Sequence, residues 1–280
     1  MITILCREHR FEQIEAVLFD KDGTLASVEP YLIALGKTRA DRLEQLVPNV
    51  RDNILSTFGI LSPDRLASEE LTSERLAYKY LASERLASEC LAFAHSSEYL
   101  DPAGLMAVGS RADNEVAAAA YVAAQGIGWM AALALVRKAF DEGAARLPVK
   151  AKQTPLLPGA IALLQQLRTY GTRVGIVSAD AHREVSAFIN HHQLPIDWYC
   201  GADGAALTKP QAGFLSFACE TMGVSPSKTL IVGDSAADLV LSQQGSAGFI
   251  GMVGGWRSAP SFAEEVAIAT HLSQVQAYRE

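Results

Sequence analysis

The sequence predicts an α/β fold: a parallel sheet with helices on both faces, interrupted after its first strand by a long helical insert. Three observations carry this. Short apolar, β-branched runs alternate with helix-like patterns in the second half of the chain; a run of the same kind, "AVLFD" (16–20), stands alone more than a hundred residues upstream; and the segment between them is helical in pattern. Strands that alternate with helices form crossover units, which make the sheet parallel and cover both faces.

Taken in order, "MITILCREHR" is a short apolar run that charge interrupts well before signal-peptide length. "AVLFD" follows, then "KDGTL". A helical insert is expected from about 27 to 155, built from "SVEPYLIALGKTRADRLEQLV", an Ala-Leu-Ser-Glu-rich region and "NEVAAAAYVAAQGIGWMAALALVRKAFDEGAARL". It ends at "TPLLPGA", where Pro155 and Pro158 stop helices. The core is then 1–26 plus 156–280, with strands at "RVGIVS" (173–178), "WYC" (198–200), "TLIVGD" (229–234) and "AGFIGM" (247–252). Within the insert, leucines at 66, 71, 76, 81, 86 and 91 mark a five-residue repeat across 65–94. Five residues turn a helix by about 500°, so these leucines sweep around it instead of forming a stripe. The repeat reads as an expanded duplication at the rim of the insert.

Composition narrows the function. With 280 residues and 49% hydrophobic content the chain can bury a substantial core. A formal net charge of -7 without any basic cluster argues against a nucleic-acid partner. Four cysteines, Cys6, Cys90, Cys200 and Cys219, have no metal-site or disulfide spacing, which fits a reducing cytoplasm. The longest apolar stretch, Val116 to Val136, is Ala-rich and broken by Gln125, Gly126 and Gly128, so no membrane span is expected.

The chemistry concentrates at strand ends. In an extended chain Asp20 and Asp22 project to the same side and Lys21 to the other. Gly23 permits a sharp turn there, and Thr24 can hydrogen-bond within it. The carboxyl edge of a parallel sheet is where such folds bind ligands. The other strands deliver Ser178, Asp234 and, four residues on, Asp238 to that edge, and the "LTKP" loop delivers Lys209.

These motifs, in this order, resemble the haloacid dehalogenase superfamily: "DKDGTL", Ser178, Lys209 and "GDSAAD". The likeness covers 1–26 and about 156–280, and "KPQAGFLSFACETMGVSPSKTLIVGDS" is especially similar to the phosphoglycolate-phosphatase-like branch. It implies a Rossmann-like core with a helical cap domain inserted after the first strand. It implies a Mg2+-dependent phosphatase acting on a small phosphorylated metabolite through an aspartyl-phosphate. Asp20 would be the nucleophile and Asp22 the general acid and base. Asp20, the backbone carbonyl of Asp22, and Asp234 would hold Mg2+, an oxygen-only set that suits this ion. Ser178 and Lys209 would bind the phosphate, while Asp238 orients Asp234 or a metal-bound water and Thr24 supports the turn. A monomer or homodimer is expected.

Two other readings share these motifs: a β-phosphoglucomutase-like phosphomutase, and a binding protein that keeps the fold without turnover. Dehalogenation is disfavoured, because Asp22 has no task when a halide leaves. "GIGWMA" (126–131) fits a dinucleotide fingerprint formally but follows a helical stretch, so it reads as a helix break. His191 and His192 are adjacent and diverge on a helix, which suits a cap or surface role. "GMVGGW" (251–256) is a Gly-rich loop after a core strand that could approach substrate. Lys21 is expected to turn from the carboxylates toward solvent or an acidic neighbour, without a catalytic role. Specificity is expected from cap side chains, with Arg39, Arg42, Arg51 and Lys152 as candidates.

Overall fold

In the computed structural model, which describes residues 1–62 and 98–279, the chain begins with a hairpin of β1 (Ile2–Cys6) and β2 (His9–Ile14). Arg7, in the left-handed region at φ +53°, makes the turn. The N-terminal apolar run is thus a strand. β3 (Ala16–Asp20) follows and is buried throughout.

The helical segment comprises α1 (Glu29–Leu46), α2 (Arg51–Phe58), the strand pair β4 (Ile60–Leu61) and β5 (Tyr99–Leu100), then α3 (Leu105–Val108), α4 (Arg111–Ala124), α5 (Trp129–Ala144) and α6 (Lys150–Gln153). Pro30 in the first turn starts α1, where a missing N–H costs nothing. Ser110 and Asp113 cap α4 reciprocally. The Val116–Val136 stretch is split between α4 and α5, with Gly126 at φ +89° between them. "GIGWMA" is that break. No helix among the described residues is long and apolar enough to cross a membrane. These helices bury a cluster of their own that includes Ile33, Leu43, Phe58, Val122, Val136 and Phe140. The repeat at 65–94, with Cys90, lies outside the described residues.

The rest of the chain supplies α7 (Ala160–Thr169), β6 (Arg173–Val177), α8 (His182–His192), β7 (Trp198–Cys200), α9 (Phe214–Met222), β8 (Thr229–Gly233), α10 (Ala236–Ser242), β9 (Gly248–Met252), β10 (Ala267–Ala269) and β11 (Val275–Arg279). Six strands form one parallel sheet in the order β10-β9-β8-β3-β6-β7. Alternation along β3 sends Val17 and Phe19 into one apolar layer and Ala16 and Leu18 into the other, so helices cover both faces. β10, the antiparallel sheet β11-β1-β2 and the short pair β4-β5 inside the helical segment are additions to the predicted strands. Where the helical segment leaves and rejoins the sheet, Ala26 pairs with Leu156, and Ser27 N donates to Pro155 O at 2.9 Å.

Candidate active site

The chain runs from β3 to β6 and β7 on one side, then returns to β8 on the other side of β3. This reversal opens a crevice at the carboxyl ends of β3 and β8, where doubly wound folds take their ligands. Asp20 ends β3 and Asp234 follows β8. The chain then turns: Leu25 N and Ala26 N both donate to Lys21 O at 2.9 Å. Gly23 sits at φ +82°, and a Cβ there would run into the Trp256 indole and the Asp234 carboxylate, so only glycine fits.

Oxygens of Asp20, Asp234 and Asp238 lie within 4.8 Å of one another, all buried. Lys209 donates to Asp20 and, at 2.8 Å, to Asp238 Oδ1. The other Asp238 oxygen accepts from Ser235 N at 3.1 Å and Ser235 Oγ at 2.5 Å, which starts α10. Asp238 therefore reaches the cluster through Lys209 and not by touching Asp234. Asp234 accepts from Trp256 Nε1 at 2.5 Å and from Thr24 Oγ1 at 3.3 Å. Three carboxylates thus face one ammonium. Burial pushes the Asp20 carboxyl up to about 6; Lys209 opposes this, and Asp238 and Asp22 add to it. Burial, then Asp20 and Asp238, hold Asp234 well above the usual carboxylate range. A buried all-oxygen set with uncompensated negative charge is the donor chemistry that suits a hard divalent cation.

Asp22 belongs to a second cluster. Lys21 donates to it, Lys150 Nζ donates to Asp22 Oδ2 at 2.7 Å and Asp180 Oδ2 at 2.6 Å, and Lys21 lies 2.9 Å from Asp180. This corrects part of the expectation for Lys21: the amine does meet an acidic neighbour, Asp180, but it is shut off from solvent and also turns to Asp22. Its side chain is 1% exposed, packs 5.2 Å from the Phe188 ring centre, and pairs with the carboxylate it was expected to avoid. The strand ends at Asp20, so alternation no longer governs the next residue. Burial works against charge on both Lys150 and Asp180, yet their mutual attraction prevails. Lys150 is raised and Asp180 is held well below its ordinary value.

Ser178 lies at the end of β6, its Oγ accepting from Asp180 N at 3.1 Å. Asp20, Asp22, Ser178, Lys209 and Asp234 all line one cleft of about 320 Å³, so the predicted site residues gather in one place. Residues that sequence reasoning missed are Lys150, Asp180 and Trp256. Asp180 stands two residues past the strand "RVGIVS" and Trp256 ends "GMVGGW", whereas nothing local marks Lys150. Of the expected cap residues, Arg42 is committed to Glu142 at 2.5 Å and Arg51 to Asp41 at 2.6 Å. Lys152 is exposed, two residues and about 200° around the helix from Lys150. His192, the last residue of α8, places Nε2 3.0 Å from the carbonyl of Thr154, which follows α6, so the ring ties the ends of the two helices together.

The haloacid dehalogenase-like hydrolase family model matches residues 14–240, and the chain belongs to that family. Phosphoglycolate phosphatase 1 of Pseudomonas aeruginosa is 26% identical over 137 residues, 48% of each chain. A CBBY-like protein of Arabidopsis thaliana is 33% identical over 100 residues, 34% of this chain and 31% of that protein. The match therefore spans about a third to a half of these relatives' lengths. In fold, the chain is similar to the crystal structure of a predicted phosphoglycolate phosphatase from Haemophilus somnus. The TM-score is 0.57 at 15% identity, over 93% of this chain and 96% of that one.

Proposed function

We propose that this protein is a Mg2+-dependent phosphatase of small phosphomonoesters, working through an aspartyl-phosphate on Asp20. The observation that carries the reading is the buried convergence of Asp20, Asp234 and Asp238 on Lys209 at the switch point of the sheet. Two unit charges 4 Å apart repel by about 4 kcal/mol at a surface-like dielectric, so a carboxylate cannot approach a phosphate dianion without cationic help. Lys209 supplies part of it. Asp20, Asp234 and the backbone carbonyl of Asp22 would hold Mg2+, which would supply the remaining charge neutralisation.

In this reading an Asp20 oxygen attacks phosphorus as the ester P–O bond breaks, and Asp22 gives its proton to the departing alcohol. Asp22 then takes a proton from water, whose oxygen attacks the phosphorus of the aspartyl-phosphate; inorganic phosphate leaves and the Asp20 carboxylate is restored. Ser178 and Lys209 bind phosphoryl oxygens. Substrate has to displace Lys150 or Lys21 from Asp22 before that carboxyl can reach a leaving oxygen. Residues 27–155 act as the cap over a core of 1–26 and 156–280, a division supported by the paired crossing at Ala26 and Leu156.

The test is phosphate release from a phosphomonoester panel. Asp20→Asn is expected to lower turnover at least roughly a thousandfold, and chelation to abolish it until Mg2+ is restored. Retained activity in Asp20→Asn refutes the reading, and an isomerised product without phosphate release would mark a mutase.

A further inference from the structure

Glu29 is a buried carboxylate that the proposed chemistry does not use. It opens α1, the first helix after the chain leaves β3, and is 3% exposed. Burying an ionised carboxylate is costly unless its oxygens are well paired. Here both are. Oε2 accepts from Arg257 N at 2.7 Å, while Oε1 accepts from Arg257 Nε at 3.1 Å and from Leu100 N at 3.0 Å. Arg257 also donates from Nη2 to Glu98 O at 2.6 Å. One residue of the insert therefore clamps both the backbone and the side chain of Arg257, which stands between β9 and β10 of the main sheet.

The residue before Arg257 is Trp256, whose Nε1 donates to Asp234. Its ring is buried in the apolar cluster of the insert. The loop has no slack beside it. A Cβ on Gly255 would run into the Gly23 carbonyl, and one on Gly254 into the carbonyl of Thr270, so this backbone lies directly on the turn after β3 and on the segment after β10. Contacts thus run unbroken from Glu29 to Arg257, along the chain to Trp256, and from its indole to Asp234.

Asp234 needs such a hold. Asp20 and Asp238 stand beside it with like charge, and repulsion between carboxylates favours turning it out of the cluster. Trp256 opposes this with a 2.5 Å hydrogen bond, against 3.3 Å for the one from Thr24.

We infer that Glu29 and Arg257 are a positioning pair for Asp234. By clamping the loop after β9, the first turn of α1 fixes Trp256 and, through its indole N–H, the direction of the Asp234 carboxylate. The affinity of the site for Mg2+ then depends on how the insert is seated on the sheet. This rests on the metal half of the proposed function and goes beyond it, because Glu29 and Arg257 touch neither the metal position nor the phosphate position. Glutamine at 29 is a sharp perturbation: it offers one acceptor oxygen where glutamate offers two, and its NH2 then faces a donor.

The test is a double-mutant cycle on Mg2+ binding, measured by calorimetry on the full chain without substrate. Glu29→Gln is expected to weaken Mg2+ about tenfold, the scale set by groups that orient a metal-binding carboxylate. Arg257→Met, at a side chain 34% exposed, serves where Glu29→Gln does not fold, and is expected to weaken Mg2+ at least about threefold. Because the effect runs through Trp256, Glu29→Gln added to Trp256→Phe costs less than about twofold more. Arg137→Gln breaks an ion pair with Glu115 elsewhere in the insert and is expected to leave the affinity within about twofold. A general loosening of the insert would move all of these alike. Losses that multiply in the double variant overturn the inference, as does an equal loss in Arg137→Gln. So does an unchanged affinity in Glu29→Gln or, where that variant does not fold, in Arg257→Met. Phosphate release that depends on Asp20 leaves the phosphatase reading standing in each of these cases. The expected cycle in a chain that hydrolyses no phosphomonoester supports the inference and refutes the phosphatase reading. A wild type that binds no Mg2+ refutes both.

Discussion

Trp256 places its ring in the apolar cluster of the helical insert while its Nε1 donates to Asp234 across 2.5 Å. One side chain so joins the insert to the carboxylate cluster. Groups that orient a metal-binding carboxylate typically change metal affinity 10–100-fold when removed. Trp256→Phe keeps an aromatic ring and removes the donor, so the Mg2+ concentration for half-maximal phosphate release is expected to rise by roughly that factor, with the fold intact by circular dichroism. Asp180 offers a test by pH. Burial alone would raise its carboxyl, but Lys150 and Lys21 outweigh burial and hold it well below the ordinary value of about 3.9. Between its lowered value and about 3.9 the unfolded chain binds a proton that the folded chain refuses, so stability from this group is complete above about pH 4 and is lost as pH falls further. Asp180→Asn is expected to flatten acid unfolding between about pH 2 and 4. At pH 7 it costs about 3 kcal/mol, because two buried ammonium groups lose a counter-charge; denaturant titration at both pH values measures it.

At the scale of elements, β3, β6, β8 and β9 were legible because a central parallel strand is a continuous apolar run bounded by turns, and the edge strand β7 because its three residues, Trp198, Tyr199 and Cys200, are aromatic or apolar. The strands that were not legible are β10, at the other edge of that sheet, and those of the two smaller sheets. β1 pairs with β11 in the register Ile2↔Arg279 to Cys6↔Val275, partners at opposite ends of the chain. No local pattern announces such a pairing, and β10, Ala-Ile-Ala, has a single β-branched residue and no aromatic to mark it. Ala277 of β11 is buried in the main core. Ala277→Glu is expected to cost at least about 3 kcal/mol, read as a lower denaturant midpoint with unchanged slope, because it forces a charge into that layer. If the β1–β11 pairing were peripheral, the midpoint would scarcely move.

Across the whole molecule, the doubly wound strand order decides where chemistry can occur. Crossing over on one side of β3 and then on the other leaves the carboxyl ends of β3 and β8 uncovered, and Asp20 and Asp234 stand there. Asp20, Asp22, Ser178, Lys209 and Asp234 could be picked from the sequence because each sits at a strand end or in an adjoining loop, where a short motif and its position in the fold are nearly the same information. Lys150, Trp256 and Arg39 could not be assigned their places. They come from helices of the insert and from a loop after the last central strand, and a helical lysine or arginine carries no mark of whether it faces solvent or a cleft. Apolar periodicity and turn residues act over a few positions, so they suffice for elements and for strand-end carboxylates. Which distant side chains meet over those carboxylates depends on how separate helices pack, and packing is set by shape and burial summed over the entire chain. The ion pair of Lys150 with Asp22 joins residues 128 positions apart, and the burial of Arg39 over the Phe140 ring becomes visible only once its neighbours are in place.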